Sequence, residues 1–427
     1  MGFFDWVLYI LIALGVLLLM ITIHEAGHYT AGKILKFKIN EFAIGFGKPF
    51  YKKTKKNGEV FSIRFLPLGG FCAFEGEDED KPASKGAFNN QPVWKRLIVL
   101  FMGPFFNFLS AILFAIILLL NFGYADKVVL TKVEVPNSMT GQEQNWLMEG
   151  DLILKVNGVD CDFVTDNYFV NMIKVYDFGE EFSVTVRRNG QEITLQNIKK
   201  TAWQEFASKG DATYGKLFTL DGTNYNYTIA YNAETAKYQI VKIANASITD
   251  RYDIEDGLAK IDKQTIRADY TVTGADPAVI TDLNMSYSVI GVTTKNYTYS
   301  FFEALGYSFL FCIKWAWKIL MILWLLITFQ LPITQLGGTI TTIAFLAEST
   351  HASFANLLLL FPLISINLAV FNLLPFPALD GARMVFVGIE GIRGKPISRK
   401  VESMIHFVGL IILFSFVLIV DILHFVL

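Results

Sequence analysis

Three ionisable side chains occur within five residues of one another in the sequence His24-Glu25-Ala26-Gly27-His28. On an α-helix, residues i and i+4 face the same side, so His24 and His28 could bind one zinc ion together. Glu25 would lie beside them and accept a proton from water. The alternative is a pair of interfacial histidines at the end of a membrane helix. Because ionisable residues within a membrane span are costly and usually functional, we favour a site for one zinc ion per chain.

A catalytic zinc site needs a third protein ligand and one open coordination position. Asp380 lies at the inner end of a later apolar segment, after Pro375 and Pro377, where packing hardly explains a carboxylate. The alternative is an acid that emerges into solvent beside Arg383. We therefore predict that Asp380 is the third ligand. The other three histidines are expected to be poorer ligands in interfacial positions: His351, His406 and His424.

The composition is that of a membrane protein of modest size. The 427 residues are 53% hydrophobic and 18% charged, whereas about a quarter of the residues of an ordinary soluble protein are charged. A formal net charge of −2 argues against a nucleic-acid partner, because phosphate binding requires a basic surface. The three cysteines are far apart and form neither a metal-binding spacing nor a disulfide framework.

Apolar segments of about 20 residues predict four membrane-spanning helices. They lie within residues 1–32, 97–121, 355–382 and 404–427. Basic residues cluster within 33–96 and 383–400, which places both loops on the cytoplasmic side and both chain termini outside. The segment 301–331 contains Lys314 and Lys318 among tryptophans, and we predict an amphipathic helix on the outer interface. A fifth spanning helix is the alternative.

Residues 122–300 are polar, rich in strand-forming residues and predicted to lie outside the membrane. The stretch 180–198 alternates apolar and polar residues around Asn189-Gly190, which is typical of a β-hairpin. Residues 202–300 are richer in Thr, Asn and Tyr and are predicted to be a further β-rich unit, either a second domain like the one before it or an insertion. The predicted fold class is therefore a polytopic α-helical membrane protein with a β-rich extracytoplasmic insertion.

Helix-breaking residues surround the predicted zinc site. Gly103-Pro104 would interrupt the second spanning helix, and Pro375 with Pro377 would interrupt the third. Broken helices at membrane depth occur where they are buried in protein or line a water-filled cavity. We therefore expect a polar pocket that opens toward the cytoplasm and admits water. Three asparagines would face this pocket and contact substrate, or else join helices by hydrogen bonds: Asn107, Asn367 and Asn372.

Five stretches, in this order, resemble the site-2 protease family of intramembrane zinc metalloproteases, most closely its bacterial regulator-of-sigma-E-protease branch. They are HEAGH (24–28), FLPLGGFCAFEGEDE (65–79), GPFFN (103–107), EGDLILKVNG (149–158) and NLLPFPALDG (372–381). The resemblance implies that His24, His28 and Asp380 bind zinc and that Glu25 is the catalytic acid and base. It also implies that residues 122–201 form a PDZ-like domain.

The resemblance further implies how and where substrates are bound. Residues 61–74, with Pro67, Gly69 and Gly70, would form a re-entrant β-hairpin that dips toward the site and pairs with a substrate strand. Asn372 would help to hold the substrate backbone. The substrates would be single-pass membrane proteins or signal-peptide remnants of the bacterial cytoplasmic membrane. The active site would lie near the cytoplasmic side, with the PDZ-like region outside.

Departures from the family pattern and two alternative functions accompany this interpretation. Gly337-Gly338 replaces the Gly-Pro that is common before the third span, and only one PDZ signature is visible. Ala382 follows Asp380-Gly381 where many relatives have a second glycine, which leaves the backbone freedom of this turn in question. A zinc-binding transporter would need polar residues across the whole membrane depth, whereas those of this chain concentrate near one end. A non-catalytic zinc-binding scaffold would not require the intact Glu25. We therefore expect an enzyme that hydrolyses peptide bonds in or near the membrane.

Overall fold

A computed structural model of the protein describes most of the chain as two compact units. The first unit comprises residues 1–122 and 299–427, and the second comprises residues 123–298. The described residues are 3–77, 84–133, 141–174, 176, 181–198, 203–208, 211–219, 225–232, 237–245, 271–273, 283–288, 292–331, 351 and 353–426. Among them, every helix that is long and apolar enough to cross a membrane belongs to the first unit.

Apolar helices dominate the first unit. The helices of the described residues are α1 (Phe3–Ile34), α2 (Val93–Asn121), α3 (Phe169–Lys174, in the second unit), α4 (Phe301–Ile327), α5 (Phe354–Leu373), α6 (Asp380–Arg393) and α7 (Arg399–Val426). Five of them, α1, α2, α4, α5 and α7, could cross a membrane by length and composition. This agrees with a polytopic membrane protein, whereas the predicted number of four spanning helices is not confirmed.

Helices α1, α2 and α5 pack together at the centre of the first unit. A Cβ atom on Gly27 would lie 2.1 Å from the carbonyl oxygen of Met102, so α1 and α2 approach this closely only because the position has no side chain. Ser110 of α2 and Ser365 of α5 are buried, and their hydroxyl oxygens are 3.0 Å apart. Small and hydroxyl-bearing residues therefore bring the three helices together, as is common inside membranes.

Helix α2 is continuous through Gly103-Pro104, and the predicted interruption there is wrong. Proline has no backbone N–H, so Pro104 gives up one helical hydrogen bond to the carbonyl of Leu100. The helix nevertheless extends from Val93 to Asn121. Both Gly103 and Pro104 are buried, and packing against neighbouring elements compensates for one missing bond.

The predicted interruption of the third spanning segment at Pro375 and Pro377 is confirmed. Helix α5 ends at Leu373 and α6 begins at Asp380, with Pro375 and Pro377 between them. The predicted segment 355–382 is therefore divided between α5 and α6, and the two prolines lie in the connection. Asp380 consequently lies in the first turn of α6, where the helix dipole favours a carboxylate.

Helix α4 lies alongside α2. The two helices meet near Tyr299, whose N–H donates to the carbonyl of Leu119 at 3.1 Å, and again where the rings of Phe309 and Phe108 are 6.1 Å apart. Further along, Leu320 lines an apolar cavity with residues of α2 that include Phe101. These contacts extend over about 27 Å of α2, at 1.5 Å per residue. A helix that lies flat on the interface would not follow α2 over this distance.

The loop between α1 and α2 folds into a small sheet of two long, bent strands, β1 (Ile39–Thr54) and β2 (Val60–Phe74). Residues 41–44 pair with residues 70–73 on one side and with residues 60–63 on the other. The two halves of β2 therefore flank the same part of β1, and they do not pair with each other as a hairpin over 61–74 would. Gly69 lies at the bend of β2 with φ of +137°, and a Cβ there would lie 2.3 Å from the ring of Phe46.

The second unit consists mainly of strands. They are β3 (Tyr124–Val133), β4 (Leu152–Val156), β5 (Val159–Asp160), β6 (Phe182–Arg188), β7 (Gln191–Ile198), β8 (Trp203–Ser208), β9 (Asp211–Thr219), β10 (Tyr225–Asn232), β11 (Lys237–Asn245), β12 (Thr271–Thr273), β13 (Leu283–Ser288) and β14 (Val292–Tyr297). One sheet has the order β14-β3-β4-β6-β7, with β5 paired to β4. The hairpin predicted around Asn189-Gly190 is confirmed, and both turn residues have positive φ.

The remaining strands form two three-stranded sheets, in the orders β11-β10-β12 and β13-β8-β9. In the sequence they lie between β7 and β14, which belong to the first sheet. The predicted boundary between 122–201 and 202–300 therefore separates β14 from the sheet it completes. Because β14 pairs with β3 across more than 150 residues of sequence, no local pattern could reveal that pairing.

A buried carboxylate connects α1 to the β1–β2 sheet. Glu59 is 2% exposed and forms ion pairs with Lys33 and Lys55, and the hydroxyl of Tyr29 donates to it at 2.8 Å. Burial disfavours the ionised carboxylate, yet these hydrogen bonds outweigh it and lower the pKa of Glu59 to about 2. The ionised form of Glu59 therefore stabilises the folded protein.

Replacing this carboxylate with an amide should destabilise the protein in a pH-dependent manner. We expect Glu59→Gln to lower the free energy of unfolding by about 1–2 kcal/mol at pH 7, because it removes charge-assisted hydrogen bonds. The folded-state pKa of about 2 lies below the ordinary value of 4.5, so the difference should be complete above pH 4.5 and disappear as the pH falls toward 2. Thermal unfolding in detergent across this range measures it. Glu192→Gln, in an exposed pair with Arg187, is the control and should change little.

Candidate metal centre

Three potential ligand atoms converge between α1 and α6. The Nε2 atoms of His24 and His28 are 3.1 Å apart, and Oδ2 of Asp380 lies 3.0 Å from the first and 3.3 Å from the second. Both histidines are buried, and Asp380 is partly buried. Among the described residues, these three form the one such group that could hold a metal ion. The structure therefore brings together the three residues predicted as ligands.

The spacing and the chemistry of this group fit zinc. Donor atoms bound at 2.0–2.2 Å to a tetrahedral ion are about 3.3 Å from one another. Two histidines and one carboxylate are a donor set of catalytic zinc sites, which keep the fourth position open for water or substrate. His24, His28 and Asp380 would hold the ion, and two of them come from successive turns of one helix.

The tautomer of His28 is set by a backbone group of α2. Its Nδ1 atom lies 2.8 Å from the carbonyl oxygen of Val99. Because a carbonyl only accepts hydrogen bonds, Nδ1 must carry the proton and donate it. The neutral ring then directs the lone pair of Nε2 toward His24 and Asp380. Hydrogen bonds of this kind to the second ring nitrogen orient ligating histidines in zinc proteins.

Asn107 of α2 lies beside the second ring nitrogen of His24, as the Val99 carbonyl lies beside that of His28. It is 0% exposed, and its side-chain amide lies 3.3 Å from Nδ1 of His24. Its Oδ1 atom has no hydrogen-bond partner among the described residues. With the amide turned so that Oδ1 faces Nδ1, it would accept the Nδ1 proton and leave Nε2 free to bind metal. This placement favours the interhelical alternative for Asn107 over contact with substrate.

Two glycines make room for the ligands. A Cβ atom on Gly103 of α2 would lie 2.3 Å from Nε2 of His28, so the imidazole occupies the space that a side chain would need. A Cβ atom on Gly381 would lie 2.3 Å from the carbonyl oxygen of Leu374, so this residue lets α6 fold back onto the end of α5. Ala382 lies within α6 and has no positive φ. A second glycine is therefore not required by the backbone conformation.

The three ligands and Glu25 line one cavity of about 700 Å³. Cys72 lines this cavity with Glu25, and a Cβ atom on Gly70 would lie 3.6 Å from Cγ of Glu25. The β1–β2 sheet therefore approaches Glu25 directly. The structure places Glu25 beside the histidines in the same cavity, as the spacing predicted.

The residues predicted to bind substrate are distributed unevenly around this cavity. Asn372 lines it. Pro67, Gly69 and Gly70 precede the part of β2 that forms the wall, which is residues 71–74. The part of this strand that lines the cavity is therefore the four residues that follow Gly70.

Two features of the cavity wall were not predicted. Arg383 of α6 forms an ion pair with Glu77, which follows β2, and this contact ties α6 to the sheet. His406 of α7, which was expected to be interfacial, also lines the cavity. Glu77 lies within a recognised motif and Arg383 follows another by two residues, but a pairing across 306 residues of sequence has no local signal. For His406, the rarity of histidine in an apolar helix was the available clue.

Comparison with known proteins agrees with this geometry. The model of peptidase family M50 matches residues 11–416. The chain is 27% identical over 457 residues to the regulator of sigma E protease of Haemophilus influenzae, covering 93% of this chain and 94% of that protein. It is 27% identical over 445 residues to regulator of sigma-E protease RseP of Salmonella typhimurium, covering 94% of each. A Vibrio cholerae protein named for zinc metalloprotease activity is 28% identical over 442 residues, covering 95% of each.

Two histidines and one aspartate converge beside a glutamate, among helices that are apolar enough to cross a membrane. The family match extends over nearly the whole chain. The chain therefore belongs to peptidase family M50, the site-2 protease family. It is a zinc metalloendopeptidase, and Zn²⁺ is its cofactor.

A substitution at Gly103 tests whether the His28 imidazole occupies the space beside α2. Gly103→Ala should displace the imidazole, because its new Cβ would lie 2.3 Å from Nε2 of His28. We expect a loss of zinc affinity of at least about 10-fold, as with other changes that disturb a ligand's surroundings. Zinc retained per chain during titration with a chelator measures the loss.

The matched control is another helical glycine changed to alanine. A Cβ atom on Gly15 of α1 would meet no atom within 4 Å, so Gly15→Ala should bind zinc like the unmodified protein. Equal zinc affinity in Gly103→Ala and Gly15→Ala would contradict the arrangement of α1 and α2 described above.

Proposed function

We propose that His24, His28 and Asp380 bind the catalytic zinc ion and that Glu25 is the general base and acid of peptide-bond hydrolysis. The observation that carries this proposal is the convergence of the three ligand atoms within 3.3 Å, although Asp380 lies 356 residues after His24. Convergence from two helices so distant in sequence is difficult to explain by packing, since it brings a carboxylate and two imidazoles into a largely buried site.

The chemistry divides between the metal and Glu25. Zinc, when bound, polarises the scissile carbonyl and lowers the pKa of water to about 7. Glu25 accepts the proton from water and delivers it to the leaving amine, so it acts first as a base and then as an acid. Glu25 lines the same cavity as His24, His28 and Asp380, which supports this role.

The substrate is a peptide in extended conformation. A transmembrane helix shields its own carbonyl groups, so the segment to be cleaved must unwind locally. Residues 71–74 of β2 line the cavity beside Glu25, and a substrate strand would hydrogen-bond along them. Asn372 lines the same cavity and would hold the substrate backbone. New main-chain hydrogen bonds would offset part of the cost of unwinding.

We propose that the enzyme resides in the bacterial cytoplasmic membrane with its site near the cytoplasmic side. The basic loops 33–96 and 383–400 support this orientation. Helices α1, α2, α5 and α7 would span the membrane and leave both termini outside, and α4 would lie in the bilayer beside α2. The second unit would lie outside. Its sheet β14-β3-β4-β6-β7 would serve as a PDZ-like domain, and strands β8–β13 as an insertion in it.

The substrates would be single-pass membrane proteins or signal-peptide remnants. Relatives from Haemophilus influenzae and Salmonella typhimurium are named as regulators of sigma E, which supports membrane-anchored anti-sigma factors as one substrate class. The second unit would screen substrates by size and admit those that another protease has already shortened.

The role of Glu25 can be separated from that of the ligands. Glu25→Gln should retain zinc, because Glu25 is not a ligand, but lower kcat for a membrane-embedded reporter by about 10²- to 10⁴-fold through loss of proton transfer. Asp380→Asn should instead lose zinc. Cleavage of a reconstituted single-pass reporter and the zinc content of each variant provide the measurements. Undiminished turnover by Glu25→Gln would exclude the mechanism.

A further inference from the structure

The turn between α5 and α6 contains a strained alanine. Ala378 has a φ of +83°, in the left-handed region that non-glycine residues rarely adopt. It precedes Asp380 by only two residues. Relaxation of this backbone to negative φ would therefore move the carboxylate that faces His24 and His28. A contact that opposes such relaxation would protect the geometry of the site.

Helix α7 supplies such a contact through His406. The backbone N–H of Ala378 donates to Nδ1 of His406 across 2.8 Å. Close to this bond, a Cβ atom on Gly409 would lie 2.3 Å from Cβ of Pro377 and 2.8 Å from its carbonyl oxygen. Helix α7 thus holds two successive residues of the turn, Pro377 by direct packing and Ala378 by a hydrogen bond.

The hydrogen bond determines which nitrogen of His406 carries the proton. Because Nδ1 accepts, the neutral ring is protonated at Nε2. That atom is buried and has no hydrogen-bond partner among the described residues, and the ring of Phe386 lies 5.6 Å away, centroid to centroid. A buried donor without a partner is destabilising. The contribution of His406 to the structure is therefore the hydrogen bond that Nδ1 accepts from Ala378.

We propose that His406 is a positioning residue for the metal centre. By accepting the Ala378 N–H, it holds the turn in the conformation that places Asp380 opposite His24 and His28. His406 lines the same cavity but does not belong to the ligand group. The inference rests on the proposed role of Asp380 as a zinc ligand, and it assigns a function to α7 in the assembly of the site.

Two substitutions separate the hydrogen bond from simple packing. His406→Leu keeps a side chain of similar size but has no acceptor, whereas His406→Asn offers an oxygen close to the position of Nδ1. We expect His406→Leu to lower zinc affinity about 10-fold, in the range for changes around a metal's ligands, and to alter the absorption spectrum of the Co²⁺-substituted protein. His406→Asn should resemble the unmodified protein in both. Ile411→Leu, at an exposed position of α7, is the control for disturbance of the helix.

A change at the other end of the hydrogen bond provides an independent test. Glycine adopts a φ near +83° without strain, so Ala378→Gly has little tendency to relax. In that background, His406→Leu should cost much less zinc affinity than it does alone. Thermal unfolding of each variant in detergent confirms that the compared proteins are folded.

The outcomes distinguish this inference from the proposed function. Unchanged zinc affinity and Co²⁺ spectrum in His406→Leu would overturn the positioning role, as would equal losses in His406→Leu and His406→Asn. An equal effect of His406→Leu with and without Ala378→Gly would also overturn it. Failure of the proposed ligand set has a different signature, which is unchanged zinc affinity in Asp380→Asn.

Discussion

The structure depends on bringing two imidazoles and one carboxylate within 3.3 Å of one another, between helices that are distant in sequence. Such proximity requires backbones to approach where side chains would normally keep them apart. Gly27 admits the backbone of α2 against α1, Gly103 leaves the space that His28 occupies, and Gly381 lets α6 fold back onto α5. The lack of a side chain at these three glycines thus allows the three side chains of the site to come this close together. Close packing of small residues is also how helices associate in a bilayer, so one device serves the fold and the site.

Around the ligands, each chemical group is oriented by a neighbour from another element. The carbonyl of Val99 sets the tautomer of His28, and Asn107 lies against His24. The turn that carries Asp380 is in turn held by α7 through His406. Hydrogen bonds in a site of low dielectric constant are strong when paired and costly when broken, so these contacts make the arrangement specific.

Peptide-bond hydrolysis consumes water, and the break between α5 and α6 explains how a site among apolar helices can contain it. Pro375 and Pro377 end one helix, and the irregular backbone that follows lies beside a cavity with polar groups in its wall. Non-helical backbone is tolerated at membrane depth where it is enclosed by protein or faces such a cavity. The ion pair between Arg383 and Glu77 lies at the same cavity and joins its helical wall to the β1–β2 sheet.

The sequence by itself was sufficient for the class of protein, and it singled out His24, His28 and Asp380, which the structure brings together. His24 and His28 are four residues apart on one helix, and Pro375 with Pro377 lies in the connection between α5 and α6, so both features are local. The same rule predicted a break at Pro104 that the structure does not have. Tertiary structure decided the rest. The continuity of α2 through Pro104, the packing of α4 along α2, the pairing of β14 with β3 and the bond between His406 and Ala378 all depend on contacts between distant residues. Local patterns report which face of an element is apolar, but only the assembled fold determines which element covers it.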